Sequence, residues 1–369
     1  MRFKLAKRTF LFHITREGFA FLVLTGVVGG AAFIKGINLI FLVFAMMICF
    51  ALLSSVLAIV SMNNLTLARV LPTHVFAGKR FPVELILTNR KRFVPAISVT
   101  VQDTLGRRKL QPKYVIKVPP RTSGSTTYQH VIERRGEFEF RELVISTSFP
   151  LGFFARGFAM LKPETVIVYP KVVRLNPGFL SDLLSEIEHR LSKPGMGTEI
   201  FGFRKYVHGD DRRFINWKLS AKTDDLVVTQ FSQDQNLQVT IVFDNALARR
   251  DEPALERFED TVTFAASLGS YFVEKNFKVQ MLTRSGTVPF GEGNKQLLKM
   301  LTHLALIAPV GPDEGDADIY SPKRLANSIG ILISQEPPAK PLPHFIHTFH
   351  AASAEMPAPS AAALAEERG

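Results

Sequence analysis

Two uncharged apolar runs near the start constrain this chain more than any other feature: Gly18 to Ile34 reads GFAFLVLTGVVGGAAFI, and Ile37 to Val60 reads INLIFLVFAMMICFALLSSVLAIV. With a helical rise of about 1.5 Å per residue they reach about 26 and 36 Å, against a hydrocarbon core of about 30 Å. Both can span a bilayer. A secretory signal has a similar basic start and apolar middle, but two runs separated only by Lys35 and Gly36 read as a membrane hairpin. Short loops rich in Lys and Arg stay in the cytoplasm. Arg2, Lys4, Lys7, Arg8 and Arg16 precede the first run and Lys35 alone lies between the two, so both termini are expected on the cytoplasmic side.

The formal charge of +12 over 369 residues invites a nucleic-acid reading. Residues 1–18 carry a net +4 and Lys35 adds one, and the remaining +7 is scattered among acids over the rest of the chain, so no nucleic-acid partner is expected. The single cysteine, Cys49, lies inside the second apolar run, which leaves no intrachain disulfide and no cysteine-based metal cluster.

Beyond the hairpin the chain changes character twice. Period-two alternation punctuated by turn residues, as in Phe81–Asn89, Ala96–Val101, Tyr128–Ile132 and Val166–Val168, predicts a small antiparallel β-sandwich over 62–175. After an acidic amphipathic helix over Ser181–Leu191, the pattern becomes strand, helix, strand, helix, strand: Leu237–Asp244, Pro253–Asn276, Phe277–Thr283, Asn294–Ile307 and Ile329–Ser334. That order predicts a doubly wound α/β domain over 176–335. Residues 336–369, rich in Pro and Ala, are expected to be a disordered tail. The chain then divides into a basic N-terminus (1–17), two membrane helices within 18–61, a sandwich, an α/β domain and a tail.

The densest chemistry lies between Glu199 and Phe231, EIFGFRKYVHGDDRRFINWKLSAKTDDLVVTQF. Asp210 and Asp211 are the paired carboxylates that an enzyme would want, but adjacent residues point in different directions, and acid–base work needs two carboxylates facing one bond. The alternative is a turn at Gly209, an Asp capping a helix over Arg212–Lys222, ion pairs from Arg204 and Arg213 to the aspartates, and Ile215 and Trp217 as an apolar plug. Asn216 is placed to bond exposed backbone. His208 has no second His or Cys at metal-site spacing and reads as a turn residue. No phosphate loop, nucleophile elbow or His-Glu-x-x-His occurs.

Arg204-Lys-Tyr206, Gly209-Asp210, Arg213-Phe-Ile-Asn216-Trp217 and Ser220-Ala221, in this order, resemble the signature of the bacterial membrane proteins grouped as the domain of unknown function 58 family. Arg134-Arg135-Gly136 and Ser148-Phe-Pro-Leu151-Gly-Phe153 look like a second element of that family, with Leu151 where phenylalanine is usual. The resemblance implies a location in the inner (cytoplasmic) membrane and a third part similar to a von Willebrand factor type A domain. Such domains hold Mg²⁺ through Asp-x-Ser-x-Ser after the first strand. Here the run is Asp244-Asn245-Ala246-Leu-Ala248, with both hydroxyl positions alanine, so Asp244 is left as a degenerate metal site and no cofactor is expected. The resemblance also implies a non-enzymatic adaptor or assembly factor working with a MoxR-type AAA+ ATPase and a transglutaminase-like membrane protein. Asp244 and Asn245, at the rim of the sheet, are then candidate contacts. The competing class is a metal-dependent enzyme using Asp210, Asp211 and Asp244.

Overall fold

The computed structural model describes residues 2–5, 8–191, 194–208, 210–223, 225–232, 238–325, 328–338 and 342–350. They form two compact units, the first ending at Val168 and the second beginning at Tyr169.

The first unit opens with strands β1 (Arg2–Leu5) and β2 (Arg8–Ile14), followed by helices α1 (Arg16–Lys35) and α2 (Asn38–Met62). Thr15 starts α1 by accepting the Gly18 N–H at 2.9 Å, and Gly36 ends it in the left-handed conformation that glycine adopts freely. Both helices are long and apolar enough to cross a membrane. Burial along α2 is inverted relative to a soluble helix: Ser54, Ala58 and Ser61 are buried, while Leu52, Leu53 and Val56 are exposed. The two helices meet where Gly29 faces the Phe44 ring, a contact that any Cβ at Gly29 would obstruct.

The sandwich follows, as β3 (Leu65–Val70), β4 (Val75–Phe76), β5 (Phe81–Asn89), β6 (Ala96–Leu105), β7 (Arg108–Lys109), β8 (Lys113–Val118), β9 (Ser123–His130), β10 (Gly136–Thr147) and β11 (Phe154–Tyr169). One sheet runs β1-β2-β11-β10-β6-β7, with β4 on β11 and β8 on β6; the other runs β3-β5-β9. Their shared core takes the inward residues of each strand, such as Val83, Leu85 and Leu87 of β5 and Leu143 and Ile145 of β10. A charged cluster is sealed in that core. Arg69 of β3 donates from Nε and Nη2 to Asp103 of β6 at 2.8 and 2.5 Å, the Tyr128 hydroxyl of β9 donates to the same carboxylate at 2.8 Å, and the Arg69 guanidinium lies over the Phe140 ring. The pair therefore ties one sheet to the other.

Two features of this unit correct the expected boundaries. The N-terminal stretch expected as a basic tail contributes β2, whose residues 8–14 pair antiparallel with 154–160 of β11. Its alternating RTFLFHI was masked by the neighbouring arginines and lysines. In addition, the loops of the sandwich grip both ends of the helical hairpin. The Thr15 hydroxyl donates to the Gly152 carbonyl at 2.5 Å, Gly18 packs so tightly on Phe153 that a Cβ would overlap its carbonyl oxygen, and Phe21 stacks on Phe153 at 4.2 Å. At the other end, the Lys91 ammonium donates to the carbonyls of Val60 and Ser61 in the last turn of α2. Burial lowers the Lys91 pKa to about 8.

The second unit contains α3 (Pro177–Leu191), β12 (Pro194–Lys205), α4 (Trp217–Thr223), β13 (Val227–Ser232), β14 (Gln238–Phe243), α5 (Glu252–Glu274), β15 (Lys278–Thr283), β16 (Gly286–Gly291), α6 (Gly293–Leu306), β17 (Ile329–Ser334) and β18 (Phe345–His350). The main sheet has the order β16-β15-β14-β17-β18, parallel throughout except for β16. β14 (QVTIVF) and β17 (IGILIS), rich in Val and Ile, are buried on both faces, as strands inside a parallel sheet must be.

Against one face lie α5, through Phe258 on Phe243, α6, through His303 on Thr283, and α3, through Phe179 on Phe264 and Phe349. The opposite face, at Val242, Leu282 and Leu332, packs on Ile319 and Leu325 from two short 3₁₀ turns, Ala317–Tyr320 and Pro322–Leu325. A doubly wound sheet carries helices on both faces; on the second face here these turns are joined by Leu342, from the segment leading into β18, and by Phe345 at its start. The expected tail from 336 also needs correction, because β18 pairs parallel with β17 and closes that edge. Its FIHTFH alternation follows a run of prolines that made the whole stretch read as unstructured. Residues 351–369 of the tail lie outside the described residues.

Candidate functional site

The signature segment is an insert between β12 and β13, which pair antiparallel with Arg204 opposite Val228. Arg204 grips Asp210 with two parallel hydrogen bonds of 2.6 Å from its Nη1 and Nη2, and the Val207 N–H adds a third at 2.8 Å. These donors hold the Asp210 carboxyl well below its usual range, at about 2. Asp211 does the capping: it starts the 3₁₀ turn Arg212–Phe214 by accepting the Arg213 N–H at 3.0 Å.

The single helix expected over Arg212–Lys222 is divided. After the 3₁₀ turn, Ile215 is extended and bridges Val228, and a second start is made by Asn216, whose Oδ1 accepts the Leu219 N–H at 3.1 Å. The Ser220 hydroxyl donates to the Asn216 carbonyl at 2.9 Å and accepts the Val227 N–H at 2.8 Å, so this small helix is fastened to β13. The Tyr206 N–H donates to the Leu226 carbonyl at 2.7 Å and closes the insert at its base.

Of the two residues expected to plug the segment, only Ile215 is buried. Trp217 is 66% exposed, because the cap at Asn216 turns the first helical residue outward. Phe203 and Val207 are exposed as well. The Arg213 side chain is 88% exposed and stands 3.7 Å from Asp211. His208 is an exposed turn residue, and Gly209 lies outside the described residues.

The second locus is at the carboxyl ends of β14 and β15. The sheet order reverses here, since the chain leaves β14 for β15 on one side and later returns to β17 on the other. Asp244 is the first residue after β14. Its Oδ1 accepts Arg284 Nε at 2.6 Å and the Ala246 N–H at 3.0 Å; its Oδ2 accepts Arg284 Nη2 at 3.3 Å and the Tyr320 hydroxyl. Burial and the adjoining carboxylate push the Tyr320 hydroxyl far above its usual range, and hydrogen bonding to Asp244 raises Arg284 further.

Asn245, fully buried, bonds Ser285 Oγ and the Ala308 carbonyl through Nδ2 and takes the Arg284 N–H on Oδ1. Asp244 and Asn245, expected as candidate contacts at the rim, use their side chains to fasten their own loop to those at Arg284–Ser285, Ala308 and Tyr320. Neither Arg284 nor Tyr320 was expected from sequence. Arg284 follows β15 as Asp244 follows β14, a symmetry that could have flagged it; Tyr320, in a turn of unremarkable composition, carries no such signal.

No interaction among the described residues joins Asp210 or Asp211 to Asp244, and no group of three or more His, Cys, Asp or Glu there could hold a metal ion.

Residues 202–330 match the family model described as "Protein of unknown function DUF58". The match begins at the signature. It takes in the insert, the Asp244 locus and the first residues of β17. A curated relative, "Uncharacterized protein YeaD" of Bacillus subtilis (strain 168), is 22% identical over 306 residues, covering 77% of this chain and 73% of its own. Together they support the domain of unknown function 58 family. Among solved structures, the CARDB domain of PF1109 from Pyrococcus furiosus is 12% identical over 28% of this chain and 94% of its own, with a TM-score of 0.22. Spo0M, the sporulation control protein from Bacillus subtilis, is 11% identical over 39% of this chain and 58% of its own, with a TM-score of 0.19.

Proposed function

We propose that the chain is a non-enzymatic adaptor or assembly factor of the bacterial inner membrane, anchored by α1 and α2 and offering its signature segment to a MoxR-type AAA+ ATPase in the cytoplasm. The observation that carries this reading is the closed Asp244 carboxylate. With four donors from Arg284, Tyr320 and the Ala246 backbone on its two oxygens, it has little left for a divalent ion, which needs several oxygen ligands and water. The sheet order with one antiparallel edge supports a von Willebrand factor type A-like unit. In that reading an arginine takes the place of the metal.

The membrane part rests on the inverted burial of α2 and on the hairpin's two flanks, β2 and β3, both belonging to one sandwich. If both helices span, both flanks share a side, and the basic N-terminus favours the cytoplasm. A reporter fused after Val60 that worked only outside the cytoplasm would overturn this orientation. The contact surface assigned to the partner is the exposed Trp217 with Phe203 and Val207, because exposed aromatics are the residues that dominate interface energies. A transglutaminase-like membrane protein is the second expected partner.

The test is affinity purification of the full chain from native membranes. An AAA+ ATPase should co-purify and be depleted several-fold by Trp217→Ala. Repeated recovery of the chain without any ATPase sinks the partner.

A further inference from the structure

The loop between β5 and β6 reads Arg90-Lys91-Arg92-Phe93-Val94, and its position relative to the hairpin is fixed by hydrogen bonds. Lys91 is buried and donates to the last carbonyls of α2, the Arg90 N–H donates to the Asn64 carbonyl at 3.0 Å just beyond that helix, and the Lys91 carbonyl accepts the Arg121 N–H at 3.2 Å. Burying one lysine against the helix end leaves its neighbours outside. Arg90, Arg92 and Arg121 are exposed, and no carboxylate among the described residues pairs with them. Phe93 is 77% exposed, with the Arg92 guanidinium 5.1 Å from its ring centre, and Val94 is exposed beside it.

A soluble sandwich has no reason to hold an aromatic ring out in solvent beside an arginine. At the end of a membrane helix the same arrangement has a physical use: an aromatic ring gains by entering the interfacial layer, and each nearby cation is attracted to an anionic leaflet. We infer that this loop is an anionic-lipid contact, in which Phe93 and Val94 enter the headgroup layer and Arg90, Arg92 and Arg121 bind lipid phosphates. The inference rests on the reading that α2 spans the bilayer. Its occupant is chosen by continuity with that helix and by charge.

The experiment uses the full chain in nanodiscs of phosphatidylcholine, or of phosphatidylcholine with phosphatidylglycerol, containing brominated acyl chains as quenchers. Trp217→Phe, at an exposed position, removes the one native tryptophan, and Phe93→Trp places a probe in the loop. Leu52→Trp in the same background places one in α2. Both probes should be quenched, the loop probe at least twofold more with phosphatidylglycerol. Combined Arg90→Gln, Arg92→Gln and Arg121→Gln should bring it back to its phosphatidylcholine value. A quenched helix probe with an unquenched loop probe overturns the lipid contact and leaves the spanning helix standing. An unquenched helix probe removes both. Loop quenching indifferent to lipid charge and to the arginines overturns the headgroup assignment. A loop probe that is unquenched by lipid but shifts on adding cytosolic protein points to a protein occupant and equally overturns it.

Discussion

The Arg284 guanidinium closes over the Asp244 carboxylate, Nε to Oδ1 at 2.6 Å, with only 10% and 9% of the two side chains exposed. A buried ion pair adds little net stability, but removing one member strands the other. Arg284→Leu should therefore destabilise the second unit by about 3 kcal/mol, read as a lower midpoint in thermal unfolding. The wild-type midpoint should not respond to Mg²⁺. A saturable Mg²⁺ stabilisation that Asp244→Asn abolishes would show that the carboxylate binds metal after all.

Arg69 and Asp103 pose the same problem inside the sandwich, with side-chain exposures of 0% and 1%. Arg69→Met should cost about 3–5 kcal/mol, since Asp103 keeps only the Tyr128 hydroxyl and the Thr104 N–H. Tyr128→Phe should cost about 1–2 kcal/mol. Hydrogen exchange read on β3 and β6 localises the loss; unchanged protection there after Arg69→Met would refute the sheet-to-sheet tie.

The Arg204–Asp210 pair makes a pH prediction. The folded pKa of Asp210, about 2, lies below the usual carboxylate value of about 3.9, so its contribution is present above pH ~4 and lost as pH falls towards 2. Arg204→Ala should return the Asp210 titration, followed by carboxyl-carbon NMR, most of the way towards about 3.9. A titration that stays near 2 would mean that the backbone donor at Val207, not the arginine, sets it.

Ser220 joins α4 to β13 by serving as both donor and acceptor. Ser220→Ala leaves the Val227 N–H buried without that partner, at about 1–3 kcal/mol. Asn216→Ala should cost about 1 kcal/mol through the lost cap, with Asn216→Ser recovering most of it. Amide exchange at Leu219 and Val227 reports the two effects separately.

Elements whose signal is local were legible in the chain. Ile329–Ser334 is a strand with the expected ends, and the helical spacing through Leu255, Phe258, Val262 and Phe272 is α5. Pairing between distant segments was not legible. The partner of β2 lies at 154–160, and nothing near Arg8–Ile14 announces it; β18 is hidden in the same way behind prolines. Within the signature, the Arg204–Asp210 pair follows from charge and spacing, but the outward turn of Trp217 depends on the cap at Asn216. A lone tryptophan invites a buried reading that its helix position denies. The partners of Asp244 come from residues 284 and 320, brought in by sheet topology alone.

The hairpin's two flanks sit in opposite sheets of one sandwich, β2 in the larger and β3 in the smaller, and sandwich loops hold both helix ends. Mechanically this is a double attachment. A pulling force applied to the sandwich divides between the two helices, so neither can be drawn away from it alone.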